Sequence, residues 1–130
     1  MATFRSHLQL SMPVETVWQL ISDAGDVSRW FPLVKTSETE GPQRHLILQD
    51  GTTVVEDIIT NDPVQRRFQY AISDGGIPVQ SHLSTVDVIE VSDGSTLVVY
   101  SVELEPADLL DVLGPAVEEA VQNIPSVLSQ

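Results

Sequence analysis

From Thr3 to Ser11 the chain alternates: Phe4, Ser6, Leu8 and Leu10 fall on one face of an extended strand, with Arg5, His7 and Gln9 on the other. The period then changes, and Val14, Val17, Trp18 and Ile21 recur at helical spacing. Pro13 suits the opening of that helix, where a missing N–H has no intrahelical partner anyway; Ser11 offers a cap, and Glu15 falls in the first turn. The pattern fails at Asp23-Ala24-Gly25-Asp26. Asp26 is placed to cap a short second helix ending near Trp30, and Pro32 turns Phe31 away from helical geometry.

From Leu33 onward the period is two. Turn signals at Gly41-Pro42, Asp50-Gly51, Asn61-Asp62-Pro63, Asp74-Gly75-Gly76 and Ser92-Asp93-Gly94 divide the run into six expected strands. These are 33–40, 43–49, 52–60, 65–73, 79–91 and 95–104, and turns this close together predict antiparallel pairing. After Pro106 the helical period returns, with Leu110, Leu113, Val117, Val121, Ile124 and Leu128 in one stripe. Gly114-Pro115 interrupts it, so a kink or restart is expected there.

One long helix cannot cover a sheet of about seven strands unless the sheet curls. The expected fold is therefore α+β: a curved antiparallel sheet, in the order β-α-α-β6-α, wrapped around the C-terminal helix with an internal cavity. With 130 residues and no linker, repeat or low-complexity tract, residues 1–130 read as one domain.

Composition narrows the chemistry. No cysteine is present, which removes disulfides, thiolate metal sites and a cysteine nucleophile, and fits a reducing cytoplasm. The N-terminus lacks the basic start and apolar run of a signal peptide, and no stretch is apolar enough to span a bilayer, so a cytoplasmic location is expected. A formal charge of −13 repels nucleic-acid phosphates and anionic lipid headgroups. Neither nucleic acid nor membrane insertion is expected, and the chain reads as a monomer or weak homodimer. His7, His45 and His82 show no metal-ligand spacing, and there is no phosphate loop or Gly-x-Ser-x-Gly elbow, so no metal or cofactor is implied.

Several local strings resemble the Bet v 1-like superfamily, also called START-like or SRPBCC, in its polyketide cyclase/dehydrase group. They are SMPVETVWQLISDAGDVSRWFP, DGTTVVEDIITND, RRFQYAI, GIPVQSHLSTVDV and DGSTLVVYSVELEP, which span nearly the whole chain. The resemblance implies a helix-grip fold whose largely apolar cavity holds a lipid, an aromatic or a polyketide-like molecule. Some members of the superfamily are enzymes and many only carry or sense a ligand. Two departures stand out: Tyr100 where the family often has Trp, and a terminal helix interrupted at Gly114-Pro115.

Strand parity, with that resemblance, assigns Phe68, Tyr70 and Ile72, then His82, Ser84, Val86 and Val88, then Val98, Tyr100, Val102 and Leu104 to the concave face. In the fourth strand, Val54, Glu56 and Ile58 compete with Val55, Asp57 and Ile59, and apolar content does not choose. A two-residue Asp50-Gly51 turn would set Arg44 opposite Asp57; one more loop residue shifts every pair. The resemblance favours Glu56 as the inward residue.

The candidate ligand-binding residues are then Trp30, Phe31, Tyr70, Ser84, Val86, Tyr100 and Val102, with Leu113 and Val117 from the long helix. Glu56 and His82 are the candidate acid and base of a cofactor-independent cyclase or dehydratase. Each also has a plain structural reading: Glu56 paired with Arg44 or a tyrosine hydroxyl, and His82 as a hydrogen-bonded wall residue. Trp18 belongs to the buried stripe, and Trp30 either packs in the core or walls the entrance. Binding of a hydrophobic small molecule, enzymatic cyclisation, and an acidic protein-interaction module are the three functions left open.

Overall fold

The computed structural model describes residues 1–130. Strand β1 (Ala2–Leu10) leads into helix α1 (Val14–Ser22) and a 3₁₀ segment, Ala24–Arg29. Six strands follow: β2 (Val34–Glu40), β3 (Gln43–Leu48), β4 (Thr53–Asp62), β5 (Arg67–Gly75), β6 (Ser81–Ser92) and β7 (Ser95–Glu105). A 3₁₀ turn, Ala107–Leu109, opens into helix α2 (Leu110–Leu128). The seven strands make one antiparallel sheet in the order β1-β7-β6-β5-β4-β3-β2, so only β7 to β1 is a non-sequential pairing. The sheet is curved and closes on α2, the helix-grip form of an α+β fold.

The predicted stripe of α2 is rotated slightly in the structure. Gly114, Val117, Ala120, Val121, Ile124 and Val127 are fully buried, while Leu110, Leu113 and Leu128 are half-buried. Gly114 lets the helix lie close on β1: a Cβ there would stand 3.4 Å from the Phe4 ring. The expected break at Gly114-Pro115 does not occur, and α2 runs unbroken through Pro115 and Pro125. Pro115 is exposed and frees the carbonyl of Asp111, also exposed, so solvent takes the lost bond while the buried stripe holds the helix together.

Two expected caps are also absent. Ser11 makes no cap bond; Pro13 occupies the position, and its carbonyl accepts from Thr16 at 3.1 Å and Val17 at 3.3 Å. Asp26 does not start the second helix, which begins earlier, at Ala24. It sits inside that segment at φ −103° and faces Arg29 across 3.9 Å.

The β3–β4 turn settles which face of β4 is inward. Leu48 and Thr52 flank a three-residue loop, closed by Gly51 N–H to Leu48 O at 2.9 Å with Gly51 at φ +88°. Arg44 consequently lies opposite Glu56, not Asp57. Asp57 points outward and accepts from Gln43 and Ser73.

Between β5 and β6 the ladder is incomplete. It runs only from Arg67↔Asp87 to Tyr70↔Ser84. Beyond that, β5 stays paired with β4 and β6 with β7, and the strands part. Gly75 anchors the end of β5 at φ +114°, where a Cβ would fall 2.3 Å from the Thr53 carbonyl; no other residue fits that approach. Gly76 N–H then bonds Thr53 O, while Gln80 N–H bonds Glu105 O on the other side of the gap.

Candidate functional site

A recess lies between the concave sheet face and α2. Its far wall comes from β3 and β4, where Leu46, Leu48 and Val54 alternate inward, and its floor from Val27, Phe31 and Val34. Leu113 and Val117 of α2 face Val102 of β7 across it. The half-buried Ile72 and Ile77 border the gap between β5 and β6. Of 17 lining residues 13 are hydrophobic, so what polar function exists is concentrated in very few groups. The free space inside is about 40 Å³, within a recess of about 500 Å³ counted out to its open mouth. A dry cavity of about 150 Å³ takes a benzene ring, so the resting interior has no room for one.

The main polar feature is an ion pair at the inner end. Arg44 is 3% exposed and Glu56 5%. Arg44 donates from Nε to Glu56 Oε1 at 2.8 Å and from Nη1 to the Ala24 carbonyl at 3.2 Å, and its Nη2 lies 2.7 Å from the same Oε1 in the ion pair. Its guanidinium lies over the rings of Tyr70, at 4.7 Å, and Phe68, at 5.2 Å. No hydrogen bond reaches Glu56 Oε2, and Glu56 lines the recess. Burial pushes the Glu56 carboxyl above its ordinary range, and the charge and hydrogen bonds of Arg44 oppose that rise. Protonating Glu56 would leave the guanidinium charge unmatched in an apolar space, so the pair is held ionised.

His82 bridges the point where β5 and β6 part. Its Nδ1 accepts the Ile72 amide at 2.9 Å, which requires an unprotonated Nδ1. The proton of the neutral ring is therefore on Nε2, donated to Ser84 Oγ at 2.8 Å. Burial lowers the pKa of His82 to about 4. Both ring nitrogens are engaged, so no lone pair faces the recess. That is the geometry of a hydrogen-bonded wall residue, the plain structural reading of His82.

The family model described as "Polyketide cyclase / dehydrase and lipid transport" matches residues 1–124. The chain belongs to that family. No curated protein matches it. Among solved structures, XoxI from Bacillus cereus is 25% identical, with a TM-score of 0.91, and the alignment covers 100% of this chain and 97% of that one. The di-domain ARO/CYC BexL from the BE-7585A biosynthetic pathway is 15% identical at a TM-score of 0.80, with all of this chain matching 48% of BexL. Norcoclaurine synthase from Thalictrum flavum is 17% identical at 0.71, covering 99% of this chain and 87% of the enzyme. The two last likenesses concern the fold alone.

In this polyketide cyclase / dehydrase family member, the recess gathers Glu56, His82, Phe31, Tyr70, Ser84, Val102, Leu113 and Val117 from the sequence-derived set. Trp30, Val86 and Tyr100 do not line it. Trp30 is 3% exposed and sits behind Phe31, its ring 5.9 Å from that of Phe31 and 6.1 Å from that of Tyr100. Asn123 of α2 donates to its carbonyl at 3.1 Å, so Trp30 packs the junction of three elements. Val86 is fully buried core. Arg44, Ile77, the apolar residues of β3, and Val27 and Val34 of the floor were not among the expected ligand contacts, and Ile72, expected on the concave face, also lines the recess. For Arg44 a signal existed: it shares strand parity with the inward Leu46 and Leu48.

Tyr70 and Tyr100 are hydrogen-bonded through their hydroxyls and are the only tyrosines in the chain. Burial, with the nearby Glu56 charge, raises Tyr70 to about 12; burial, with its Tyr70 partner, raises Tyr100 well above the ordinary value. A raised phenol contributes stability in full below pH 10 and loses it as pH climbs through the folded pKa. Absorbance at 295 nm should therefore show no tyrosinate at pH 10–11, then a rise together with unfolding near pH 12. Reversible titration of either tyrosine near pH 10 in the folded protein would contradict this burial.

The sign for His82 is opposite. Its stabilisation is fully present above the unfolded value of about 6.5 and is lost as pH falls toward 4. Compared with His82→Ala, the native protein should lose up to roughly 3 kcal/mol over that window in urea titrations. Nitrogen NMR should show the Nε2–H tautomer at pH 7; an Nδ1–H tautomer would refute the bond to Ile72.

Proposed function

We propose that this chain binds an apolar small molecule in the recess between the sheet and α2. The observation that carries the reading is a lining in which 13 of 17 residues are hydrophobic, with the buried Arg44–Glu56 ion pair, His82 and Ser84 as its few polar groups. Pockets of this composition hold ligands by area and orient them with a few polar groups. Because about 40 Å³ cannot take a ring, binding must widen the recess, and the half-buried Leu33, Ile72, Ile77 and Leu113 are the parts free to move. The family description, with its cyclase, dehydrase and lipid-transport members, supports a ligand of this kind.

A cyclase or dehydratase activity is the second reading, and one observation favours it. Glu56 offers an oxygen without a hydrogen bond on a carboxyl that burial makes a stronger base than an ordinary carboxylate, as a proton acceptor requires. His82 has no free nitrogen for the task, so Glu56 would act alone. Native mass spectrometry of protein purified from its own host tests the binding reading: a co-purifying small molecule is expected, released on denaturation. A ligand-free mass, together with no thermal stabilisation by any apolar compound, would defeat it. Turnover of a bound molecule that disappears in Glu56→Gln while binding persists would establish the second reading.

A further inference from the structure

The walls of the recess are not equally fixed. β3 and β4 are laddered from Gln43↔Asp57 to Ile47↔Thr53, and α2 is held by the fully buried Val117, Ala120, Val121 and Ile124. Between β5 and β6 the pairing stops at Tyr70↔Ser84. Each strand end past that point has its own anchor. β5 stays laddered to β4 as far as Val54↔Gly75, and Gly76 N–H bonds Thr53 O at 2.8 Å. β6 stays laddered to β7 as far as Ser81↔Glu105, and Gln80 N–H bonds Glu105 O at 2.7 Å. Neither end needs the other to keep its strand conformation.

One hydrogen bond crosses the seam past Tyr70, from the Ile72 amide to His82 Nδ1 at 2.9 Å. Continued by two residues from Tyr70↔Ser84, the register would set Ile72 against His82; the amide takes the ring nitrogen in place of a ladder bond. An imidazole can turn to another rotamer and release that amide without moving either backbone. The cover over the seam is lightly held as well. Within Ile77-Pro78-Val79 the one backbone bond is Val79 N–H to Ile77 O at 2.9 Å, and Pro78 has no N–H to donate. Ile72 and Ile77 are half-buried, and both line the recess. Parting the seam gives up one hydrogen bond and moves two partly exposed side chains. Parting another wall breaks a ladder or uncovers fully buried core, which costs more.

Resting on the binding function above, we propose that the recess admits its guest by parting at the β5–β6 seam, with the Ile72–His82 bond as the latch and the Ile77 segment as the door. His82 is then a positioning residue, which holds the seam closed when the recess is empty. The guest lies against Ile72 and Ile77 with the latch broken. Bound ligands ordinarily slow amide exchange by stabilising the folded state. Here the guest should speed exchange at Ile72, because it displaces the single bond that protects that amide.

The uncharged fluorescent probe 1-aminoanthracene tests this at pH 7. With the probe at saturation, the Ile72 amide of the native protein should exchange about tenfold or more faster than without it, while the Tyr70 amide, inside the ladder, keeps its protection. A staple across the seam gives a second arm. Ala71 and Leu83 lie one step past the last pair, on the outer face and away from the recess, and the chain has no cysteine of its own. The oxidised double variant Ala71→Cys/Leu83→Cys should bind the probe about tenfold or more weakly than the native protein, and dithiothreitol should restore the affinity. Native affinity in the oxidised variant, or unchanged or slower exchange at Ile72 with the probe bound, overturns the inference while leaving the binding function standing. If the native protein binds no apolar probe, the binding function itself falls and the inference with it. Should the disulfide not form, the Ile72 amide of the native protein decides alone.

Discussion

Replacing Glu56 with leucine should cost about 3–5 kcal/mol of folding stability, because it strands the Arg44 guanidinium in an apolar interior. Arg44 is almost wholly buried, and Glu56 takes one of its two hydrogen bonds and a close ion-pair contact from Nη2. The cation–π contacts with Tyr70 and Phe68 remain but cannot replace a counter-charge. The converse change, Arg44→Met, should be milder. Glu56 can escape its buried charge by taking a proton, which a guanidinium cannot release. Its pKa, already raised by burial, then climbs further once the opposing charge of Arg44 is gone. A carboxyl raised in the folded state contributes stability below its unfolded pKa and loses it as pH rises through the folded one. Arg44→Met should accordingly be more stable at pH 5 than at pH 7, relative to the native protein. The double replacement, Arg44→Met with Glu56→Leu, should recover most of the loss or exceed native stability, because apolar packing removes two desolvation costs at once. Urea unfolding of the four proteins at both pH values reads every sign. Equal, small losses in both single variants would mean that the pair is solvated.

Trp30→Ala should be nearly as damaging, at about 3–5 kcal/mol, without the site being its cause. The indole fills the angle between Phe31 and Tyr100, and its backbone carbonyl holds Asn123 of α2. Removing it leaves a cavity behind the recess wall, where neighbouring backbone cannot collapse freely. Trp30→Phe keeps an aromatic face and should lose less than about 2 kcal/mol. The separation from ligand contact is the useful part: Trp30→Phe should bind apolar ligands as the native chain does, whereas Phe31, which does line the recess, should not tolerate alanine so quietly. Parallel stability and binding curves decide this. A Trp30→Phe protein of native stability that has lost binding would return the indole to the entrance.

These residues also show where the sequence was readable. The strand alternation carried every β element, because a sheet buried on one face writes its period directly into the chain. Registers were another matter. Whether Glu56 or Asp57 faced inward turned on a single residue in the Asp50-Gly51 loop, and both parities of β4 were equally apolar. Pro115 misled for a different reason: local helix propensity argued for a break, but the lost bond falls on the exposed side while the opposite side is packed on β1. His82 lines the recess, and its chemistry depends on an amide ten residues away, across strands that have ceased to pair. Nothing in the local sequence encodes that partner. Trp30 and Tyr100 share this difficulty, since parity tells which face a side chain occupies and not whether another ring stands in front of it.

The central claim is that the space under α2 accepts an apolar guest by opening further. Methyl NMR with 2-naphthol as titrant examines it most directly. The account predicts shifts at Ile72, Ile77, Val102, Leu113 and Val117, with the exposed Ile59, Val64 and Val112 unmoved. Shifts confined to those three exposed methyls, or none at saturating probe, would contradict it.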